Sequence, residues 1–423
     1  MPTTTSTTTG MPSTTSAPVQ ADVRPPGGRT GRTAALVLYA SIVVSLLAAS
    51  SAPTPLYAVY QAEWHFSAIT TTVVFGVYAL AVLVALLLFG RLSDHVGRRP
   101  VLLGALAVEV GAMALFATAS GVPALLVGRV VQGLATGAAV GALGAAMLDV
   151  DRRRGTLANT VVPAIGTGLG ALVSGLVVRF LPAPTHLVFL LLVAVFAVQA
   201  VGVLAATETV TPVRGALASL TPEIGLPRTL RGPVLVAAPV LFASWALAGF
   251  YGALAPGLLR GLTGSTSVVL AGSGLAVLAG VAAVVTWLLR AVGARTVMLV
   301  GTGALVLGMA LTVLALSAGS VPLFFLGAVT AGVGFGSGFQ GGIRTVVPLA
   351  APHERSGVLS LLFVVSYLGM GLPAVVAGFL VVHAGGLVTT AREYAGLVVV
   401  LALAALAGLV APAVRQSGRR AAR

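Results

Sequence analysis

The chain has 423 residues, of which 57% are hydrophobic and 8% charged, with a mean hydropathy of +1.05 and a formal net charge of +14. That balance excludes a soluble domain: repeated apolar runs of about 18 residues or more read as transmembrane helices, and runs that are apolar all round exclude the alternating strands of a membrane barrel. With no cysteine there are no disulfides, thiol catalysis or zinc–thiolate sites, and five histidines without ligand spacing give no expectation of a metal or a cofactor.

Residues 1–33 are rich in Thr, Ser, Pro and Gly, lack an apolar core, and read as a disordered tail rather than a signal peptide. The first predicted span covers 34–51 and meets Pro53 and Pro55, where a helix should kink or end. A polar loop, QAEWHFS, follows, and Ser67 can cap a second span that runs to Phe89. Residues 90–100, GRLSDHVGRRP, form a charged turn between two apolar walls. The third span covers 100–119 and the fourth 122–148, ahead of a second charged turn holding Asp149, Asp151 and Arg152 to Arg154. Spans five and six cover 158–181 and 185–205. Residues 206–232 make the longest polar gap and read as a cytoplasmic linker between two halves. Six more spans are predicted at 233–259, 267–289, 296–318, 321–343, 358–382 and 394–414, before a basic tail over 415–423.

All the basic residues are arginine, which in a soluble chain would raise nucleic-acid binding. Here they sit in the short gaps, so the positive-inside rule is the better account and no nucleic-acid partner is expected. In this topology Arg179, Arg260 and Arg392 fall outside, Arg129 lies within a span, and the others lie inside or at that edge, which puts both termini in the cytoplasm. The order of motifs also repeats. RAVGARTVML (290–299) aligns with DHVGRRPVLL (94–103), and GAVTAGVGFG (327–336) with GRVVQGLATG (128–137). Parallel halves of six helices are a transporter plan with the substrate site between them.

GRLSDHVGRRP resembles the helix 2–3 signature of the major facilitator superfamily, with Gly90, Leu92, Asp94, Gly97, Arg98 and Arg99 on matching positions. LLVGRVVQGLATG (125–137) is similar to the helix-four signature, with Arg129 and Gly133 in place. GTGLGALVSG (166–175) resembles the helix-five antiporter signature at Gly166, Gly170 and Gly175, while Ala171 stands for its proline and Ser174 for one glycine. The resemblance implies an all-α polytopic membrane protein, twelve helices in two six-helix pseudo-repeat bundles, akin to twelve-helix drug/proton antiporters. It implies a conformational latch of Gly90, Asp94, Gly97, Arg98, Arg99 and Asp149. In that latch Asp94 anchors to the start of helix eleven (356–358) in the outward-facing state. The resemblance also implies a proton-coupling role for Arg129. From the residues themselves, Arg98 or Arg99 can pair with Asp149 at the inner end of helix four, and the same arginines also read as plain topology signals that hold the loop inside.

Other expectations come from the residues. Glu109 is the one acid placed deep in a span, within roughly 10 Å of Arg129 in depth by helix rise. The two form either a proton-responsive pair or a structural ion pair. Gly166, Gly170 and Gly175 permit close packing, with helix eight as the expected neighbour. Tyr39, Tyr78, Trp245, Phe250, Tyr251 and Gln340 are the candidate cavity lining, which suits a hydrophobic or weakly cationic small molecule. The functional expectation is proton-coupled export by alternating access. It runs from the plasma membrane, in a monomer, with the proton gradient as energy source and lipid and a small-molecule substrate as partners. The alternatives are uptake or facilitated passage of a metabolite, and a non-transporting scaffold or receptor. No enzyme activity is expected, and the absence of a G-x-x-x-x-G-K-[ST] loop disfavours an ATP-driven pump.

Overall fold

A computed structural model describes residues 28–351 and 353–421, with the side chains of Arg29 and of residues beyond 410 left out; residues 1–27 of the tail expected over 1–33 and the last two residues of the basic tail lie outside it, while residues 29–33 are not a disordered tail but the first turn of a helix continuous with the first span. Among the described residues all regular structure is helical. Twelve helical segments are long and apolar enough to cross a membrane.

The first span is α1 (Arg29–Ser51) with α2 (Pro53–Trp64), broken where Pro53 and Pro55 remove backbone donors. Residues 61–64 of the predicted loop are the last turn of α2, where Trp64 stacks on Tyr60 with centroids 4.5 Å apart. The second span is α3 (Ala68–Phe89), and the charged turn contains a short helix, α4 (Leu92–Val96). Then come α5 (Arg98–Ala117), α6 (Val122–Val150), α7 (Arg152–Phe180) and α8 (Pro184–Ala205). Six residues of the second charged turn's side of the chain join α7, because Asp151 caps it by accepting from the Arg154 N–H at 2.9 Å.

The second bundle holds α9 (Arg231–Ala253) and α10 (Ala255–Thr263), which split the seventh predicted span ahead of Pro256. It continues through α11 (Val268–Leu288), α12 (Ala294–Ala318), α13 (Val321–Val346), α14 (Arg355–His383) and α15 (Gly386–Ala421). The last helix starts before the predicted Tyr394 and carries on through most of the expected tail.

Buried side chains form one apolar core between Tyr39 and Val203 and another between Leu230 and Leu409, the latter joined by Ala171. The two bundles meet chiefly along two helix pairs. In the pair α3–α14, Thr72 faces Gly378 and Gly76 faces Val375 and Gly371. In the pair α7–α11, Gly168 faces Ala276 and Gly280, and Ala171 faces Gly272. Both sets of contacts run from the middle of the spans toward the face opposite the 90–100 turn, here the far face. Lipid tails are as apolar as leucine, so such seams close by backbone approach, which small residues allow. Outward-pointing Leu80, Val198, Leu235 and Leu307 are exposed, as a lipid-facing surface requires.

Candidate functional site

The latch residues come together, and they do so inside the first bundle. Gly97 turns the chain with φ +102° and opens α5. Arg98, 7% exposed, donates to Ser93 Oγ at 2.7 Å, to Asp94 Oδ1 and to Asp149 Oδ2 at 3.1 Å. Arg99 instead donates to the Val203 and Leu204 carbonyls at the end of α8. Gly90 ends α3. Asp94 does not reach α14 in this structure. The contact with α14 comes from the linker, where the Gly225 N–H donates to the Gly357 carbonyl at 3.2 Å while Glu223 pairs with Arg91. One residue of this cluster escaped the sequence reading. Glu208 accepts the backbone N–H groups of Arg98 and Arg99, each at 2.9 Å, and so caps α5 from the start of the linker. Its signal was an acid placed straight after an apolar run that returns to the arginine-rich face.

The glycines of α7 face a different neighbour from the expected one. Gly166 packs on Val44 and Leu47, and Gly170 on Ala48 and Ser51, all in α1; only Gly175 faces α11, at Val268 and Val269. The helical period explains this. Residues 166 and 170 share a face, while 168, 171 and 175 lie on the neighbouring one.

Arg129 and Glu109 are both buried, 1% and 0% exposed, in α6 and α5. They make no direct ion pair. Gln132, one turn along α6, stands between them: Arg129 donates to its Oε1 at 2.9 Å, and its Nε2 donates to Glu109 Oε1 at 3.4 Å. Glu109 Oε2 has no partner. The guanidinium also donates to the Tyr57 hydroxyl at 3.1 Å and to the Ser50 carbonyl at 2.8 Å. Its carbon lies 5.2 Å from the Tyr78 ring centre and 5.8 Å from those of Tyr57 and Phe116. A charge deep in a span costs about 2.5–3.5 kcal/mol on insertion scales, and this ring of acceptors and π-faces offsets it. Ser50 lies just before the break between α1 and α2, and at the same break Ser174 of α7 donates to the Ala52 carbonyl at 2.6 Å.

The predicted cavity residues divide. Tyr39, Phe250 and Tyr251 are sealed inside their own bundles, at 1%, 0% and 0% exposure. Phe250 packs edge-on to Tyr251 and Tyr394, and the Tyr251 hydroxyl bonds Thr312 at 3.1 Å. Tyr78 serves the guanidinium. Gln340 donates to the Thr286 carbonyl at 3.2 Å and leaves Oε1 without a partner. Trp245 lies where the bundles meet. Tyr367 is 4.7 Å from it, Phe339 5.5 Å and Phe335 6.4 Å, and the indole N–H is buried with no partner. Those three rings were not singled out in the sequence, since bundle cores are full of aromatics. On the far face, α2, α3, α9, α10 and α14 enclose a cleft of about 230 Å³ whose polar lining includes Thr54, Tyr57, Gln61, Thr72 and Arg260. Among the described residues no cluster of His, Asp or Glu is placed to hold a metal ion.

Two six-helix bundles joined by a linker, closing on each other along small-residue seams, are the architecture of a multi-pass membrane transporter. The family model described as Major Facilitator Superfamily matches residues 38–372, and the chain belongs to that superfamily. Its fold is similar to the crystal structure of a nucleoside transporter, NupG, in a mutant form, with a TM-score of 0.69 at 16% identity over 89% of this chain and 99% of that one. It is equally similar to a bacterial homologue of the human lysosomal transporter Spinster in an inward-facing, occupied conformation, with a TM-score of 0.69 at 14% identity over 91% of this chain and 96% of that one. No curated protein matches the chain in sequence.

Proposed function

We propose that this transporter exports a small, mainly apolar compound in exchange for protons, with its arginine-rich face in the cytoplasm of a plasma-membrane protein. The observation that carries the reading is the buried Glu109–Gln132–Arg129 chain. A carboxyl held in the membrane beside a guanidinium, yet not paired with it, can gain and lose a proton and change its neighbours by doing so. The substrate class follows from the Trp245, Phe335, Phe339 and Tyr367 rings, which present π-faces and one free N–H and no acid. The positive-inside rule supports the orientation.

A second reading, uptake or facilitated passage of a metabolite, is favoured by Ala171, which stands where the antiporter signature has proline. One experiment separates them. Purified protein in liposomes with an acidic lumen and a lumenal pH dye receives lipophilic cations and neutral drugs in turn. Exchange predicts that a compound dissipates the gradient with the wild type and not with Glu109→Gln or Arg129→Ala. Labelled metabolites that equilibrate without moving protons would make the protein a facilitator.

A further inference from the structure

The same buried chain reaches further than the pair it joins. Tyr57 accepts from Arg129 with its hydroxyl and is also one of the residues lining the far-face cleft, so one residue belongs to both places. Ser50 and Tyr57 flank the break between α1 and α2, and α2 supplies one wall of the cleft through Thr54, Tyr57, Ala58 and Gln61. Arg129 thus ties α6 to both sides of the break in the first span.

We infer that Gln132 is a positioning residue that transmits the protonation state of Glu109 through Arg129 to the far-face cleft. This rests on the proton-coupled reading above and assigns it a route. With Glu109 neutral, the guanidinium is shared among the Tyr57 hydroxyl, the Ser50 carbonyl and Gln132 Oε1. When Glu109 gives its proton to water, a full negative charge appears beside Gln132. A carboxylate is a stronger acceptor for a guanidinium than a hydroxyl or an amide, and more so where water is excluded. Arg129 is drawn toward Glu109, Gln132 turns with it, and Tyr57 and Ser50 lose their donor. The wall of the cleft formed by α2 is then released from α6. Protonation reverses each step.

No other charge near Glu109 competes for this role. On α6 the groups are Gln132 and Arg129; on α3 the nearest titratable group is Tyr78, whose ring already lies under the guanidinium. The only titratable residue of α8, His186, is at the far end and bonds the Ala117 carbonyl. Asp94 and His95 on α4, and Arg98 and Arg99 on α5, sit at the opposite end, in or beside the latch.

The chain has no cysteine, so Ala58→Cys places a single thiol on the cleft. In purified protein its rate of labelling by a polar maleimide, corrected for the thiol's own ionisation with a free-thiol standard, is expected to change at least about threefold between acid and alkaline solution. The response should vanish when Glu109→Gln is added. It should also vanish with Gln132→Met, which keeps the side chain's length and loses both hydrogen bonds, and with Tyr57→Phe, which removes only the hydroxyl. Melting temperature identifies a variant that fails to fold, and Tyr57→Phe then carries the test. A pH response retained in Gln132→Met and Tyr57→Phe but lost in Glu109→Gln overturns the route and leaves proton coupling standing. A wild-type background with no pH response overturns the inference outright. Failure of the exchange reading shows elsewhere, as liposomes in which no compound moves protons.

Discussion

At the scale of single residues, the decisive fact is that the intramembrane cation has more partners than its one acid. Arg129 needs a planar fork to serve the Tyr57 hydroxyl, the Ser50 carbonyl and Gln132 together. Arg129→Lys keeps the charge and loses the fork. It should cut transport by about tenfold or more while the protein still reaches the membrane, because a lysine ammonium is a point donor and each lost hydrogen bond to a charged group is worth roughly 1.5–3 kcal/mol. Transport in liposomes and surface expression measured side by side check this; near wild-type turnover in the lysine variant would remove the fork from the argument. Glu109 and Arg129 stood out in the sequence because charges are rare in apolar runs. Gln132 and Tyr57 did not, because one amide and one phenol in such a helix have many structural uses. Phe250 and Tyr251 were placed on the cavity for a related reason: their helix is apolar on every side, so no polar stripe says which face meets the partner bundle.

Helices rather than residues set the next level of organisation. Proline breaks the first span, and the break is held by donors from α6 and α7 and by the close approach of α1 to α7 at Gly170. A methyl group added at Gly170 would meet the Ala48 backbone, so Gly170→Ala should destabilise the protein by about 1–3 kcal/mol, the usual range for overpacking. Gly104→Ala, with nothing within 4 Å, should be neutral. Thermal unfolding in detergent compares the two, and equal melting temperatures would mean that α1 and α7 do not pack as described. The cap on α5 gives a second test at this scale. Glu208→Ala removes the acceptor of two backbone N–H groups and should cost about 0.5–2 kcal/mol, seen as faster hydrogen exchange at Arg98 and Arg99 without change at the far end of α5. The spans themselves were legible from hydropathy, since nothing soluble competes with runs of that length. Their ends were less so, because capping by Asp151 and Glu208 depends on contacts outside the apolar pattern, and one of those comes from the linker.

For the molecule as a whole, the question is whether the seam between the bundles opens. The seam α3–α14 is closed on the far face by a glycine set against a small branched side chain, Gly76 on Val375 and Gly378 on Thr72, while on the arginine-rich face the bundles are linked by the stretch of linker that joins Gly225 to Gly357. The exposed Arg91–Glu223 pair adds roughly 0–1 kcal/mol there, too little to lock either state. If transport proceeds by rocking one bundle against the other, holding the far-face seam shut must stop it. Gly76 and Val375 offer the means: a Cβ built on Gly76 lies 4.0 Å from that of Val375, inside the range of about 3.5–4.5 Å that a disulfide spans. In a chain without native cysteine, Gly76→Cys with Val375→Cys should cross-link under mild oxidant, lose transport in step with cross-linking, and regain it on reduction. Each single variant should ignore the oxidant, which separates the covalent tie from the effect of the side chains. A fully cross-linked protein that still turns over at its reduced rate would show that the far-face seam never has to part, and the substrate would then need a path that does not run between the bundles.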